Sequence, residues 1–240
     1  MRKLCAILDP PLAAGCKLRV MEIVDLRRQW ASLYQPKPGR YAVVDVPELR
    51  FLAIDGRIEP GSSPDTSAGF AADTAALYGL AYTIKFALRK RADSPLDYPV
   101  MPLEGLWWIT EGDFDLARPD NWHYTLLILV PDLVGADELA AGVASLRKKR
   151  GDQPEFAALR LHRFAEGRCV QVMHIGPYAT EPTTLATLPG FLADAGLVDL
   201  VGSAGGKHHE IYVGDPRKAA PDKLKTILRH PVAHAAPQHP

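Results

Sequence analysis

The sequence predicts an α+β domain built from two copies of a strand–helix–strand–strand module, related by a pseudo-twofold axis around a central ligand cleft. Three observations predict it. The order of elements repeats: Phe51-Leu-Ala-Ile-Asp-Gly56 precedes a loop, a helix and an aromatic strand containing Glu104, and Val172-Met-His-Ile-Gly-Pro177 precedes a loop, a helix and a strand containing Glu210. Helical and strand periods alternate along the chain. The 240 residues, 47% of them hydrophobic, suffice for one large core, whereas either half alone has too little. The repeats are placed at about 41–130 and 131–232, in a domain spanning 21–232. Residues 1–20 are expected as a poorly structured extension and 233–240 as a disordered tail.

The elements follow in order. Ile23, Leu26, Trp30 and Leu33 predict a short amphipathic helix over 22–34, ended by Pro36 and Pro38. Tyr41–Val46 and Leu49–Ile54 read as two strands parted by Pro47, and Asp55-Gly56 closes the second. Phe70–Arg89 is the strongest helix, with Leu77, Ala81, Ile84 and Leu88 at helical spacing. Its aromatic stripe, Tyr78, Tyr82 and Phe86, is read as core. Asp97–Thr110 reads as two strand pieces around Glu104-Gly105. Tyr124–Val130 is a strand and Gly135–Arg150 a helix. Leu159–Phe164 and Cys169–Ile175 read as a hairpin about Glu166-Gly167. A helix opens at Glu181-Pro182 and runs to about Ala195, with the proline where a first turn tolerates one. The Glu210 strand and a last strand, Lys223–Arg229, complete the chain.

Chemistry concentrates in Lys207-His-His-Glu-Ile-Tyr-Val213. As a strand it sends His209, Ile211 and Val213 one way and His208, Glu210 and Tyr212 the other. Strand interiors are poor in glutamate. Glu210 therefore marks either an edge strand with its carboxylate in solvent or a cavity wall with a charge beside an aromatic ring. Such a wall suits a cation, an apolar ligand or a water held for attack. Trp107 and Trp108 must face opposite sides, so one leaves the principal core face, for a ligand pocket or for the cover of a loop. His174 is either a ligand-lining residue or a structural hydrogen-bonding one. Glu181 suits a helix N-terminus, where the dipole favours a carboxylate.

Composition narrows the function classes. Lys plus Arg and Asp plus Glu both total 28, so formal net charge is zero and neither nucleic acid nor an anionic membrane surface is favoured as a partner. No apolar run reaches the roughly 18 residues that span a bilayer. Cys5, Cys16 and Cys169 are odd in number and lack metal-type spacing, which points to a reducing, cytoplasmic setting without disulfides. His208, Glu210, His174 and Glu104 could converge as ligands, but they lack a zinc-type spacing, and no metal or other cofactor is expected. There is no Gly-x-Ser-x-Gly motif. The expected state is a monomer or weak homodimer.

Four separated motifs carry a resemblance. Pro102-Leu-Glu-Gly-Leu-Trp-Trp108, Gln171-Val-Met-His-Ile-Gly-Pro-Tyr178 with Glu181-Pro182 beyond it, His208-His-Glu-Ile-Tyr212 with Asp215-Pro-Arg217, and Lys223-Leu-Lys-Thr-Ile-Leu-Arg229 occur in order. On these the chain, from about Val24 to Val232, resembles the GyrI-like small-molecule-binding family. The resemblance implies a duplicated strand–helix–strand–strand module around an open cleft. Family members bind bulky aromatic or cationic compounds, with a glutamate at the cleft floor. It also implies kinship with the stand-alone branch that includes cyclopropanoid cyclopropyl hydrolases, which open the cyclopropane of DNA-alkylating spirocyclopropyl-dienones with water. The segment before the first strands is too short for an N-terminal DNA-binding domain.

Such chemistry needs an aromatic slot, a base for water and a donor to the developing oxyanion. Glu210 is the candidate base, its basicity raised by desolvation, and Tyr212 its catalytic partner. Trp107 or Trp108 is the platform, and Glu104, His174, Tyr178 and Glu181 complete the expected ligand-binding set. The alternative is a non-catalytic module that sequesters hydrophobic or cationic compounds through the same residues. A third reading is a protein-interaction inhibitor acting through its surface.

Overall fold

Two 16-residue strands, β3 (Ala42–Arg57) and β7 (Arg160–Ile175), pair antiparallel at the centre of the fold. The other edge of β3 takes β6 (His123–Leu129), which takes β5 (Leu103–Trp108). β5 then takes β9 (His208–Tyr212), and β9 takes β10 (Lys225–His234). β10 returns to pair with β7, so six antiparallel strands close into a barrel-like ring. This computed structural model describes residues 3–6, 20–110, 112, 114–116, 118, 121–202, 205–214 and 218–236, with backbone alone for 3–6 and 20.

The predicted duplication is visible in the ring. β3, helix α3 (Ala68–Arg89), β5 and β6 form the first copy. β7, the short helices α6 (Glu181–Leu185) and α7 (Leu188–Ala195), β9 and β10 form the second. Exchanging β3 with β7, β5 with β9 and β6 with β10 leaves the order of strands unchanged. Matching the starts of β5 and β9 puts Gly105 in the place of Glu210, Glu104 in that of His209, and Trp107 in that of Tyr212.

The helices lie on the outer face of the ring. Ser67 caps α3 by accepting from the Phe70 N–H at 3.0 Å. Leu77, Leu80, Ala81, Ile84 and Leu88 then bury one stripe of the helix against the sheet. Helix α4 (Ala136–Arg150) packs beside α3, and Gly142 allows the contact, since a Cβ there would meet Leu80 at 2.8 Å. Helix α5 (Glu155–Ala158) leads into β7. The segment before β3 folds as α1 (Leu26–Gln29) and α2 (Ala31–Tyr34), with Leu33 and Tyr34 buried. Among the described residues no helix is long and apolar enough to cross a membrane.

Several expectations are corrected. β1 (Lys3–Ala6) pairs with β2 (Val20–Ile23), and β2 runs parallel to β4 (Leu96–Asp97), so part of the expected unstructured extension is sheet. The helix expected over 22–34 is two single turns joined at Trp30. Pro47 does not split β3, because there the strand has β7 on one side only, and a missing N–H is tolerated on an open edge. Glu166-Gly167 is not a hairpin turn: β7 runs through it in unbroken register with β3, and Gly167 takes a φ of 75°. Glu104-Gly105 is strand throughout. The helix from Glu181 breaks at Ala186–Thr187, where Pro189 sits in the first turn of α7. Residues 233 and 234 extend β10 and pair with β8 (Leu197–Asp199); 237–240 lie outside the described residues. The aromatic stripe on α3 is not core: Tyr82 and Phe86 are 47% and 46% exposed and stack on one another at 6.2 Å. An i, i+4 row drifts around a helix, and this one drifts off the buried face onto the outer surface.

Candidate functional site

β9 is a central strand, so the edge-strand reading of Glu210 fails: the carboxylate is buried between β5 and β10. Pairing register places three rows on the outer face. Trp107 of β5 lies opposite His208. Gly105 lies opposite Glu210, which lies opposite Leu228 of β10. Leu103 lies opposite Tyr212, which faces Thr226, and Thr226 faces His174 of β7. Gly105 makes room for the Trp107 indole to lie across the strand, because a Cβ there would meet the indole nitrogen at 2.6 Å and the Tyr212 oxygen at 3.2 Å.

Aromatic rings surround this grid. The Trp107 Nε1–H donates to the Tyr212 hydroxyl at 3.1 Å. Trp107 stacks on Phe70 of α3 at 5.5 Å and leans on Trp122 at 5.3 Å. Phe114 bridges Trp122 and His208. Tyr178 meets Tyr212 edge-on at 5.7 Å. His174 holds the segment that brings Tyr178 and Glu181 in: its Nδ1 contacts the Thr184 hydroxyl at 2.7 Å, and its Nε2 reaches the Pro177 carbonyl and Thr180 hydroxyl at 3.2 Å. With both ring nitrogens occupied, His174 anchors the wall; the structural reading fits it.

Glu181 is the outstanding electrostatic feature. It is 3% exposed, and its Oε1 has no hydrogen-bond partner. Burial, and then the charge of Glu210, push its carboxyl up to about 9, so it holds a proton at neutral pH. Helix N-terminal placement does not account for that, since α6 is a single short turn and favours the ionised form. Tyr178 is pushed up to about 12 by burial and by Glu210 and Glu181. Tyr212 is also raised well above its ordinary value, by burial, the Glu210 charge and its hydrogen bond to Glu210. Both phenols thus remain O–H donors. Burial lowers His208, outweighing the opposing hydrogen bond and charge of Glu210.

Two expected ligand residues lie elsewhere. Glu104 and Trp108 share the opposite, inner face of β5. Glu104 accepts from the Tyr34 hydroxyl at 2.6 Å and meets His209 Nε2 at 3.1 Å. His209 Nδ1 meets Glu166 at 2.9 Å, and Glu166 accepts from Arg229, which also bonds Gln171 and the Leu33 carbonyl. Burial opposes charge on His209, but Glu166 and Glu104 outweigh it and raise its pKa. Burial raises Glu166, and His209 with Arg229 more than reverse this. Each member of this buried network is thus matched by a partner, leaving no opening for a ligand. Trp108 carries the Lys207 ammonium 3.5 Å above its ring and stacks on His123.

The outer face therefore collects Glu210, Tyr212, Trp107, Tyr178, Glu181 and His174, but not Glu104 or Trp108. Sequence reasoning missed Phe70, Phe114, Trp122, His230 and the proton held on Glu181. Glu181, His208 and Glu210 each offer one atom within 4.8 Å of the others, so a cation could be held there; a shared proton meets the same charge requirement. The Asp215-Pro216-Arg217 motif lies outside the described residues.

The comparisons agree with this geometry. The family profile described as GyrI-like small molecule binding domain matches residues 135–233, which hold α4 and the second repeat. An uncharacterized conserved protein from Listeria innocua is similar at 40% identity over 88% of this chain and 100% of its own, with a TM-score of 0.79. Two proteins from Listeria innocua described as hydrolases are 36% and 38% identical over 88% of this chain, cover 100% and 99% of their own, and have TM-scores of 0.73 and 0.74. No curated protein matches the sequence. With a duplicated ring, an aromatic cluster on its outer face and relatives aligned over nearly their whole length, the chain belongs to the GyrI-like small-molecule-binding family.

Proposed function

We propose that this protein is a hydrolase that binds flat aromatic electrophiles beside Tyr178 and Tyr212 and adds water to them, the cyclopropane of cyclopropanoid DNA-alkylating compounds being the favoured target. The observation that carries the reading is the buried carboxyl pair: Glu181, held protonated to about pH 9, beside Glu210. A carboxyl that keeps its proton beside a second carboxyl can supply an acid and a base in one site. The hydrolase descriptions of two relatives support the reaction type. The motif resemblance supports the substrate.

In this mechanism Glu210 takes a proton from water as the water oxygen bonds to the cyclopropane methylene. The strained C–C bond breaks, and its electron pair passes through the dienone to the carbonyl oxygen, which becomes a phenolate. Glu181 gives that oxygen its proton, and the Tyr212 and Tyr178 hydroxyls stabilise the developing charge. The half-buried Tyr178 and Tyr212 rings meet the flat ring, and Trp107, 1% exposed, packs behind Tyr212 and holds its hydroxyl.

The test is incubation of a spirocyclopropyl-dienone with protein at a hundredfold deficit, with ring-opened product followed by mass spectrometry. Many equivalents of hydrated product, abolished in Glu210→Gln with binding kept, are expected. Stoichiometric binding without product beyond background would overturn the reading. A second reading, sequestration of hydrophobic cations, is favoured by the aromatic rings around a buried carboxyl pair that can ionise further against a bound cation. It predicts no turnover and weaker cation binding in Glu210→Gln. Repeating the turnover assay after chelator dialysis separates a proton-based from a cation-based site.

A further inference from the structure

A line of hydrogen bonds leads away from Glu210, and the proposed mechanism does not use it. Glu210 Oε1 meets His208 Nε2 at 3.1 Å. On the other side of the same ring, His208 Nδ1 meets His230 Nε2 at 2.8 Å, with the two rings edge to face. His230 Nδ1 then meets Asp199 Oδ2 at 2.7 Å. Asp199 is held in turn, its Oδ1 accepting from the Val201 N–H at 2.9 Å. Exposure rises along the line: the His208 side chain is inaccessible, that of His230 10% exposed and that of Asp199 32%. Three elements align it, β9, β10 and β8, with β8 docked on the end of β10 at Val232↔Asp199.

His174 also has both ring nitrogens occupied, but only by the Thr184, Pro177 and Thr180 groups of one neighbouring segment. Here all four ring nitrogens are committed, in series, between a buried carboxylate and one in contact with solvent. Such a chain admits two proton arrangements with the same number of protons. In one, Glu210 carries the proton, His208 bears it on Nδ1, and His230 is protonated on Nδ1 alone. In the other, Glu210 is free, His208 bears its proton on Nε2, and His230 is an imidazolium against Asp199. Passage from the first to the second breaks the Glu210 O–H and the His208 Nδ1–H and forms the His208 Nε2–H and the His230 Nε2–H. No heavy atom need move.

We propose that His208, His230 and Asp199 form a proton wire that empties Glu210 after each turnover, carrying to solvent the proton Glu210 takes from water. The proposal rests on the hydrolase reading for its purpose, and on the geometry for its existence. Glu181, having given its proton to the product, regains one from solvent, and ring flips of His208 and His230 return their protons from the Nε2 to the Nδ1 side, which closes the cycle. Asp199 and His230 touch no ligand; they are positioning residues acting through His208. Asp199 keeps the imidazolium form of His230 within reach, as a carboxylate does for an orienting histidine.

Two measurements test the wire. The first uses resting wild-type protein with 15N-labelled histidine, and looks for an nitrogen–nitrogen coupling across the His208–His230 hydrogen bond. It is expected to be present; two rings whose facing nitrogens are both bare, or exchange freely with solvent, would overturn the wire whether or not the protein turns over substrate. The second compares kcat and KM for Asp199→Asn and His230→Gln, each checked by denaturant unfolding. A fall in kcat of about tenfold or more with KM within about twofold is expected, as proton transfer and not ligand binding is impaired. Folded variants with kcat within about twofold of wild type would show that Glu210 empties by another path. A wild-type protein without turnover sinks the hydrolase reading alone and leaves the coupling measurement to decide the wire.

Discussion

Replacing Glu181 with glutamine should make the protein more stable, by an amount that grows with pH. The folded state keeps a proton on Glu181 up to about pH 9, against an ordinary value of 4.5. The unfolded chain releases that proton near 4.5, so above this the folded form alone is protonated at the site. A carboxyl with a raised folded pKa contributes its full stability below the unfolded pKa, and loses it progressively as pH rises toward the folded pKa. At pH 7 the gap from 4.5 is 2.5 pH units, and at about 1.4 kcal/mol per unit the wild type has given up about 3 kcal/mol. Glutamine carries no such charge and is nearly isosteric. For a chain of this size the gain corresponds to a rise of about 6–12 °C in Tm. Urea unfolding of wild type and Glu181→Gln at pH 4, 5.5, 7 and 8 measures it. The two should converge at pH 4 and separate steadily above it. A difference that does not change with pH, or a variant less stable at every pH, would refute the reasoning and place the proton elsewhere.

Further outcomes are expected. Gly105→Ala should leave the ring folded but displace the Trp107 indole, weakening ligand affinity by about tenfold in a fluorescence titration. Trp107→Phe removes the hydrogen bond to Tyr212 and should raise KM, whereas Trp108→Phe, on the inner face, should alter stability by at most about 1 kcal/mol through its Lys207 contact and leave KM unchanged. Glu166→Ala strips the counter-charge from His209 and Arg229 inside the ring and should cost about 3–5 kcal/mol in chemical denaturation. In the same assay series Glu181→Gln, for all its stability, should lose about a hundredfold in kcat if it is the acid.

Much of the architecture was legible because its signals are local. The stripe of Leu77, Ala81, Ile84 and Leu88 defines α3 on its own, and the repeated order of elements forecasts the ring's twofold symmetry. What sequence could not supply was register. Glu104 looks like the first-repeat counterpart of Glu210, both lying in strands rich in aromatics, yet strand starts align Glu104 with His209 and set it on the other face. A one-residue offset in a strand reverses every side chain. Glu166-Gly167 and Pro47 carry turn chemistry, but the pairing of β3 with β7 overrides it along both strands. The proton on Glu181 depends first on its burial and then on Glu210, 29 positions further along the chain, and no local pattern announces such a meeting.

The return of β10 to β7 has a consequence for how the chain matures. Until residues 225–231 have paired, β7 and β9 each present an open edge to the surroundings, and open edges recruit other strands. On a ribosome, the first repeat can collapse around α3 while the second is still being made, but the ring cannot seal before its last strand emerges. Closure joins contacts far apart in sequence and is intrinsically slow. The interval before it is when the nascent protein is most vulnerable to aggregation, and when a chaperone that shields strand edges would matter most. Truncation ahead of Lys225 would prolong that interval indefinitely, yielding inclusion bodies from a chain that keeps nearly all of its candidate-site side chains.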